Sequence, residues 1–330
     1  KHRGSGRVLW LLGNRCVELL LPSGVVNTWT TSTVIPPGSR ALADPMVPGQ
    51  VYLLENGSST LWRYNSFTGT SESLTPGVEA TRFRSSLGSR FAKSGHRLLV
   101  TGTPNQGAHT PWIFDLEVGK WSRLPDAPHA ILSSAVAADE SSICIVGGWS
   151  KMQSCHGYMQ RLSLTEPREE WQVSSGYLPW RRPGAGKARS DGRIWVSLGW
   201  MECASNAAVG TKDFPLLRRN GASQRASTSS SRLVLLGMEQ GKLQVEEIST
   251  LPLTDSFESL GELFHMDNKL VCIGRDHVQM FDMDLCSWQT WPLPEELQRD
   301  ESNSWVKHCG SWAVAFELLD AEPKEVKDGW

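Results

Sequence analysis

The sequence lacks the motifs that most directly assign a chemical reaction. It contains no C-x-x-C pair, no G-x-S-x-G nucleophile elbow, no P-loop and no dinucleotide-binding fingerprint. Its seven cysteines are odd in number and dispersed, so neither a zinc framework nor a thioredoxin-like pair is indicated. We therefore expect no metal, no cofactor and a reducing compartment, cytoplasmic or nuclear.

An excess of one charge sign and long apolar runs are also missing. The 33 basic and 35 acidic residues give a formal net charge of −2, which argues against a dedicated nucleic-acid-binding protein. No apolar run approaches the roughly 18 to 20 residues that span a bilayer. We therefore expect neither a nucleic acid nor a membrane as a partner.

What the sequence does contain is a series of short apolar segments, most of which end in glycine. Ile143–Gly148 reads ICIVGG and Leu98–Gly102 reads LLVTG, whereas Val51–Asn56 carries Asn in place of Gly. Lengths of about five residues that are rich in Val, Ile and Leu predict buried strands. Most begin about 43 to 51 residues apart, close to the period of propeller blades, and the last interval is about 76. The segments begin at Val8, Val51, Leu98, Ile143, Ile194 and Leu270.

A second element follows each of these strands. Phe114–Leu124 reads FDLEVGKWSRL and Phe281–Trp291 reads FDMDLCSWQTW, and Tyr64–Leu74 and Leu236–Glu246 align with both without gaps. Each has a large apolar residue, a short polar turn and a further position seven residues later. We interpret the first strand as b, the two arms of this hairpin as c and d, and the segment leading to the next b as a fourth strand, a.

The long last interval allows two interpretations. Leu233–Gly237 reads LVLLG, which resembles a further strand b and would add a seventh module. The segment LGMEQGKL at 236–243 instead aligns with FDLEVGKW at 114–121, a c–turn–d hairpin. Because this match is longer, we favour six modules, with residues 201–231 inserted between strands b and c of the fifth. Seven modules are the alternative.

Taken in order, these features resemble the kelch repeat of the β-propeller superfamily that includes the galactose-oxidase central domain. That repeat has a diglycine after strand b, a Phe-Asp or Tyr-Asp pair, and a spaced Trp before a Leu-Pro turn. The resemblance covers roughly residues 7–319, and Leu164 with Trp171 is a partial match. It implies an all-β fold, a β-propeller of six four-stranded antiparallel blades in which the spaced Trp fills the gap between neighbours. The matching residues are Gly147, Gly148, Phe114, Asp115, Trp121, Trp171, Phe281, Asp282 and Trp288.

We expect one domain, a propeller over residues 1–320 followed by a tail at 321–330. The first module opens with its strand b at Val8 and lacks a strand a of its own. A propeller ring closes when a C-terminal strand pairs with the first blade. Ser304–Cys309 could supply that strand. The apolar run Trp312–Leu319 is then unaccounted for, and it either begins another blade or is itself the closing strand.

The b–c and d–a loops of antiparallel blades emerge on the same face, which makes that face the candidate binding surface. In the fourth module these loops concentrate Trp, Tyr and Arg, the residue types enriched at interaction hot spots. The 201–231 insertion adds further basic residues to the same face. The predicted binding residues are Trp149, His156, Tyr158, Tyr177, Trp180, Arg181, Arg182, Arg218 and Arg219.

We expect a non-catalytic protein–protein interaction scaffold that binds a protein or peptide through this face. The kelch resemblance implies one such role, the substrate-receptor module of a ubiquitin-ligase adaptor. The alternative is a propeller enzyme that acts on a small polar or carbohydrate substrate at the central channel. The sequence offers no paired carboxylates or metal-ligand cluster for such an enzyme, so no catalytic residue is predicted.

Overall fold

Strands make up almost all of the regular structure. The computed structural model describes residues 5–32, 35–36, 39–44, 46–75, 85, 89–101, 109–131, 134–148, 158–165, 170–175, 182–188, 193–199, 232–250, 263–266, 268–273, 277–298 and 313–318. Within these ranges there are six four-stranded antiparallel sheets and one single-turn helix, α1 (Glu295–Gln298). The predicted all-β class is confirmed.

Each sheet is one blade, and its strands follow one another in chain order, with one exception. Blade one takes β1 (Ser5–Leu12), β2 (Arg15–Leu21) and β3 (Val26–Thr30). Blade two takes β4 (Arg40–Ala43), β5 (Gln50–Leu54), β6 (Leu61–Asn65) and β7 (Thr70–Ser73). Blade three takes β8 (Arg90–Ser94), β9 (Arg97–Thr101), β10 (Trp112–Asp115) and β11 (Lys120–Arg123).

The second half of the chain repeats this order and then returns to the first blade. Blade four takes β12 (Ala135–Ala138), β13 (Ser142–Val146), β14 (Met159–Ser163) and β15 (Trp171–Val173). Blade five takes β16 (Arg182–Ala188), β17 (Ile194–Gly199), β18 (Arg232–Glu239) and β19 (Lys242–Thr250). Blade six takes β20 (Leu263–Met266), β21 (Lys269–Ile273), β22 (His277–Asp282) and β23 (Ser287–Pro292). The exception, β24 (Ala313–Leu318), belongs to blade one.

The ring closes through β24, which is the missing strand a of blade one. It pairs antiparallel with β1, with Ser5 opposite Leu318 and Trp10 opposite Ala313. The first strands of consecutive blades contact one another all the way round the ring, from β24 to β4 and finally from β20 back to β24. Residues 313–318, from the second candidate run, therefore form the closing strand, and residues 304–309 lie outside the described ranges.

The blade count depends on β18, which had two interpretations. β18 pairs with β17 along Ile194↔Leu236 to Leu198↔Arg232, and it pairs with β19 on its other side. It is therefore the third strand of blade five and not the second strand of a further blade. The predicted propeller of six four-stranded antiparallel blades is confirmed, and the seven-blade alternative is wrong.

The hydrophobic core is divided among the interfaces between blades. Between blades two and three, Tyr52 and Leu54 pack against Leu98, Val100 and Phe114. Each such cluster combines residues from at least two consecutive blades, because a single sheet cannot cover either of its own faces. Burying one such side chain contributes about 1.5 to 3 kcal/mol. Because these side chains lie between blades, contact between blades contributes much of the packing energy.

The c–d turns explain the Phe-Asp signature. The Oδ1 atom of Asp115 accepts hydrogen bonds from the backbone N–H groups of Glu117 (2.9 Å) and Val118 (3.0 Å), so the carboxylate closes its own turn. Asp282 and Asn65 do the same for the turns that follow β22 and β6. Both residues of the pair are therefore structural. The aromatic residue packs against its neighbours, and the acidic or amide residue shapes the turn.

The aromatic half of the signature forms a cross-strand pair. Phe114 lies opposite Trp121, with ring centroids 5.1 Å apart, and Phe281 lies opposite Trp288 at 5.0 Å. In blade four the residue opposite Trp171 is Leu162, two positions before the Leu164 that the seven-residue spacing indicated. Although the seven-residue spacing is the same in blade four, the residue that pairs with the Trp is a different one.

Blade five also departs from the repeat at its turn. Glu239 pairs with Lys242, which leaves a two-residue turn of Gln240 (φ 49°) and Gly241 (φ 75°). Positive φ at both positions is the type I′ geometry that suits a tight hairpin. The ungapped alignment placed both strands correctly, but Leu243 lies opposite Met238 and not opposite Leu236.

Candidate binding face between blades three and four

The upper face is defined here as the end of the ring from which the b–c and d–a connections emerge. The lower face carries the a–b and c–d turns. On the upper face, two connections meet between blades three and four. There residues 124–134 connect β11 to β12, and residues 147–158 connect β13 to β14.

The diglycine allows these two connections to touch. Gly147 and Gly148 have φ angles of 70° and 135°, and the Gly147 N–H donates to the Tyr158 carbonyl oxygen at 3.0 Å. A Cβ on Gly148 would lie 1.8 Å from the Ala130 carbonyl oxygen. The second glycine is therefore required, because the d–a loop crosses directly over the end of strand b.

An aromatic pair joins the two loops. The rings of His129 and Tyr158 are stacked, with centroids 4.3 Å apart and an interplanar angle of 13°. The His129 N–H donates to Oε1 of the fully buried Gln160 at 2.8 Å, and Gln160 Nε2 donates back to the His129 carbonyl at 3.4 Å. Both rings are partly exposed, so the upper face presents a planar aromatic surface that rests on a buried amide.

A polar group lies in the same d–a loop. Asp126 accepts a hydrogen bond of 2.6 Å from the Thr110 hydroxyl and two of 2.8 Å from the Arg123 guanidinium. The Thr110 hydrogen bond, followed by that from Arg123, lowers the pKa of the Asp126 carboxyl. The His109 ring, through Nδ1, is 3.0 Å from the Ala127 carbonyl. The aromatic surface is thus accompanied by charged and hydrogen-bonding groups, the usual composition of a polar interface rim.

The spaced tryptophans lie between blades and do not project from this face. Trp121 Nε1 donates to the Ser59 carbonyl of blade two at 3.1 Å, and Trp171 Nε1 donates to the Pro125 carbonyl at 3.0 Å. Each indole therefore reaches back to the preceding blade or to the loop leaving it. Trp171 thereby also holds the d–a loop that carries Asp126 and His129.

The predicted site residues are only partly within the described ranges. Tyr158 lies on the upper face in contact with His129, and Arg182 is the first residue of β16. The others lie outside the described ranges, namely Trp149, His156, Tyr177, Trp180, Arg181, Arg218 and Arg219.

Sequence reasoning missed His129, Gln160 and Asp126. His129 and Asp126 stand just after a Leu-Pro pair, at the place where the repeat puts its d–a loop, and that position was an available signal. Gln160 had none, because a glutamine within a strand is not distinguishable by pattern from a solvent-facing residue. Only its burial shows that it supports the loop above it.

A second polar group lies near the inner strands of blades two and three. Asp44 accepts hydrogen bonds from Lys93 Nζ (3.0 Å), Tyr52 Oη (2.9 Å), Gln50 Nε2 (3.0 Å) and the Met46 N–H (2.9 Å). Burial, followed by the hydrogen bond to Asp44, raises the pKa of the Tyr52 phenol, which therefore stays protonated as a donor. The side chains of Asp44 and Lys93 are almost wholly buried, so this group links blades two and three and does not open to the channel.

One group in the described part of the chain has the composition of a metal site. Ligand atoms of His96, Asp115 and Glu117 lie within 4.8 Å of one another on the lower face of blade three. His96 Nε2 is 3.5 Å from Asp115 Oδ2, whereas Asp115 Oδ1 is used to close the turn. The group is partly to fully exposed, and its geometry is accounted for by the turn.

The fold defines a class of protein, the six-bladed β-propeller. Comparison with solved structures agrees on the fold. The chain is similar to the structure of YjhT (TM-score 0.57, 12% identity, covering 84% of this chain and 91% of that one). It is also similar to a chain of the nidogen/laminin complex (TM-score 0.56, 9% identity, covering 95% and 98%).

Other comparisons returned no relatives. No family model matches the sequence, and no curated protein matches it. Among the helical residues that the structure describes, none forms a segment long and apolar enough to cross a membrane. The fold is therefore established by its own architecture and by its structural neighbours.

Proposed function

We propose that this propeller is a kelch-type, non-catalytic scaffold that binds a protein or peptide through its upper face. The observation that carries the proposal is the stacked His129–Tyr158 pair, held on buried Gln160 where two loops meet. Aromatic groups that are fixed in position bind with little further loss of conformational entropy. Tyrosine is also enriched at binding hot spots.

The sequence of the neighbouring connections contains further aromatic and basic residues. Trp149, His156, Tyr177, Trp180 and Arg181 belong to the b–c and d–a connections of the same blade. One solved neighbour is a chain of a protein–protein complex, that of nidogen and laminin, so the fold is compatible with such a use. We further propose a cytoplasmic or nuclear location and a role as the substrate receptor of a ubiquitin-ligase adaptor.

The experiment is a comparison of partners captured by the wild-type chain and by upper-face variants. Tyr158→Ala, His129→Ala and the double change Arg181→Glu with Arg182→Glu are expressed with a tag, and co-purifying proteins are quantified by mass spectrometry. A partner found in this way is then titrated against each purified variant. The expected result is at least a tenfold loss of affinity for Tyr158→Ala, equivalent to about 1.4 kcal/mol.

The matched control is Arg63→Gln. Arg63 forms an exposed ion pair with Glu72 on the outer strands of blade two, and such pairs contribute little to stability. This variant should retain wild-type partners and affinity. Unchanged partners and affinities for all three upper-face variants, at unchanged melting temperature, would remove the upper face as the binding surface.

A further inference from the structure

We propose that the lower face is a second interaction surface, which binds a polypeptide segment combining large apolar side chains with lysine or arginine. The first observation is the location of the exposed apolar residues. Within the described ranges, every large apolar side chain that is exposed lies at this end of the ring. These residues are Val25, Val26, Met46, Val47, Phe67, Val118 and Leu285.

Closure of the c–d turns does not require the apolar residues at their tips. The turns that carry Phe67, Val118 and Leu285 are closed by Asn65, Asp115 and Asp282, as described above. Their tips are 59%, 64% and 61% exposed, respectively. Single exposed apolar residues are ordinary, but their concentration on one face marks an interaction surface.

In the part of this surface on blades one and two, Phe67 packs against the protein on one side. The Phe67 ring lies over the Arg7 guanidinium, with 4.7 Å from Cζ to the ring centroid, and it covers Gly49, whose Cβ would lie 2.3 Å from Phe67 Cε2. Arg7 is itself held by Glu18 at 2.8 Å and by Ser66 at 2.6 Å. One face of the ring is thus fixed to the protein while much of the rest remains open to a partner.

The second observation is charge. The exposed carboxylates Glu117, Glu140 and Asp284 belong to the lower turns of blades three, four and six. In the described part of these turns there is no lysine or arginine. Cations at the adjoining strand ends lie opposite acidic residues, as with Lys120 and Asp115, Lys242 and Glu239, and Lys269 and Asp282. Arg97 also lies opposite Asp115, and Arg193, in the a–b turn of blade five, is paired with Glu246 at 3.0 Å. Among the described residues of the lower turns, carboxylates outnumber lysine and arginine, so the excess charge there is negative.

Together, the exposed apolar residues and the negative charge indicate the chemistry of the partner. A negative surface is repelled by the anionic leaflet of a membrane. A second copy docked through the same face would bring like charges together. A polypeptide with apolar anchors and basic residues satisfies both the apolar tips and the carboxylates, and Met and Phe are suited to such contacts.

The test uses two synthetic 16-residue amphipathic peptides and the full chain. Both peptides carry the same Leu and Phe positions, and one has Lys where the other has Glu. Binding is followed by fluorescence anisotropy at two salt concentrations. We expect the Lys peptide to bind at least tenfold more tightly than the Glu peptide, and the difference to shrink at high salt.

Variants locate the binding on the lower face. Val118→Ser with Leu285→Ser should weaken binding of the Lys peptide at least fivefold without lowering the melting temperature, because both tips are exposed. Glu117→Gln with Asp284→Asn should reduce the preference for Lys over Glu. Tyr158→Ala and Arg63→Gln should leave it unchanged, which separates this surface from the upper face.

Four results would overturn the proposal. The first two are equal affinity for the two peptides and no binding of either. The third is loss of Lys-peptide binding in Tyr158→Ala but not in the lower-face variants. The fourth is self-association of the chain that Met46→Ser abolishes. The last result, measured by sedimentation velocity, would identify a second copy of the chain as the occupant.

Discussion

The upper and lower ends of the ring are built on different principles. At the upper end, neighbouring segments depend on each other, since Gly148 lies against Ala130 and Trp171 bonds to Pro125. At the lower end, the c–d turns of blades two, three and six are each closed by a residue of their own strand, as Asp115 and Asp282 show. The upper end therefore has contacts between loops of neighbouring blades, whereas at the lower end Val118 and Leu285 lie at exposed turn tips. Phe67 differs from these two, because its ring contacts Arg7 of blade one.

This difference bears on where each kind of interaction can arise. A surface composed of two loops, such as the His129–Tyr158 pair, requires both loops to be correctly placed, so it is sensitive to changes beneath it. A surface composed of independent turn tips can change one residue at a time. The loss of unfolding free energy caused by a substitution should therefore be larger at the upper end than at the lower end.

The largest expected effect is at Gly148. Gly148→Ala should destabilise the fold by about 4 kcal/mol, because the new Cβ would overlap the Ala130 carbonyl oxygen and φ is 135°. The lower-end control is Gly119→Ala, where φ is +72° and no atom lies within 4 Å of the added Cβ. There we expect about 1 to 2 kcal/mol, from backbone strain alone.

Urea unfolding followed by tryptophan fluorescence measures both variants. Similar losses at the two positions would show that the upper loops are no more interdependent than the lower turns, which would remove the distinction drawn between the two ends.

A smaller effect, of opposite sign, is expected at Cys286. This residue occupies the last position of its turn with φ 48°, where the equivalent turns have Gly69 and Gly119. Cys286→Gly should stabilise the protein by about 0.5 to 1 kcal/mol, since left-handed backbone is unfavourable for a residue with a Cβ. Cys286→Ala is the control and should give no gain, because it removes only the thiol. A gain in both variants would assign the effect to the side chain instead.

The smallest effect is a pH dependence at Asp115. Hydrogen bonds from the Val118 and Glu117 backbone N–H groups lower the pKa of this carboxyl, against a smaller effect of burial. Because the folded-state pKa is depressed, the turn contributes stability above the unfolded pKa of about 3.9 and loses it as the pH falls through the folded value. The advantage of wild type over Asp115→Asn should therefore shrink between pH 6 and pH 3.

Blade two provides the reciprocal test. Asn65 closes the equivalent turn with an amide that does not titrate, so Asn65→Asp should acquire the pH dependence that Asp115→Asn loses. Urea midpoints at the two pH values measure both. An advantage of equal size at pH 6 and pH 3 would contradict the assignment of the carboxylate as the titrating group.

Much of the fold followed from local patterns. Gly-terminated apolar strands and the Phe-Asp turns recur at a regular spacing, because each blade must bury the same faces against its neighbours. The register was less accessible. Trp171 pairs with Leu162, and blade five has a two-residue turn, since turn length depends on backbone geometry that the spacing of apolar residues does not report.

The candidate site was predictable only as a location. The loop face and Tyr158 were predicted from the order of strands. His129 and Gln160 belong to the site because of contacts between segments about 30 residues apart along the chain. The apolar lower face was not foreseen, because an exposed Val or Leu in a turn has no sequence signature that separates it from a buried one.

The sequence by itself determined the all-β class, the favoured count of six blades and the chemistry of the c–d turns, since these depend on residues close together in the chain. Only the tertiary structure decided that 313–318 closes the ring, that Gly148 admits the neighbouring loop, and that the exposed apolar side chains share one face. These features arise where separate blades meet, and no short segment contains both sides of such a contact.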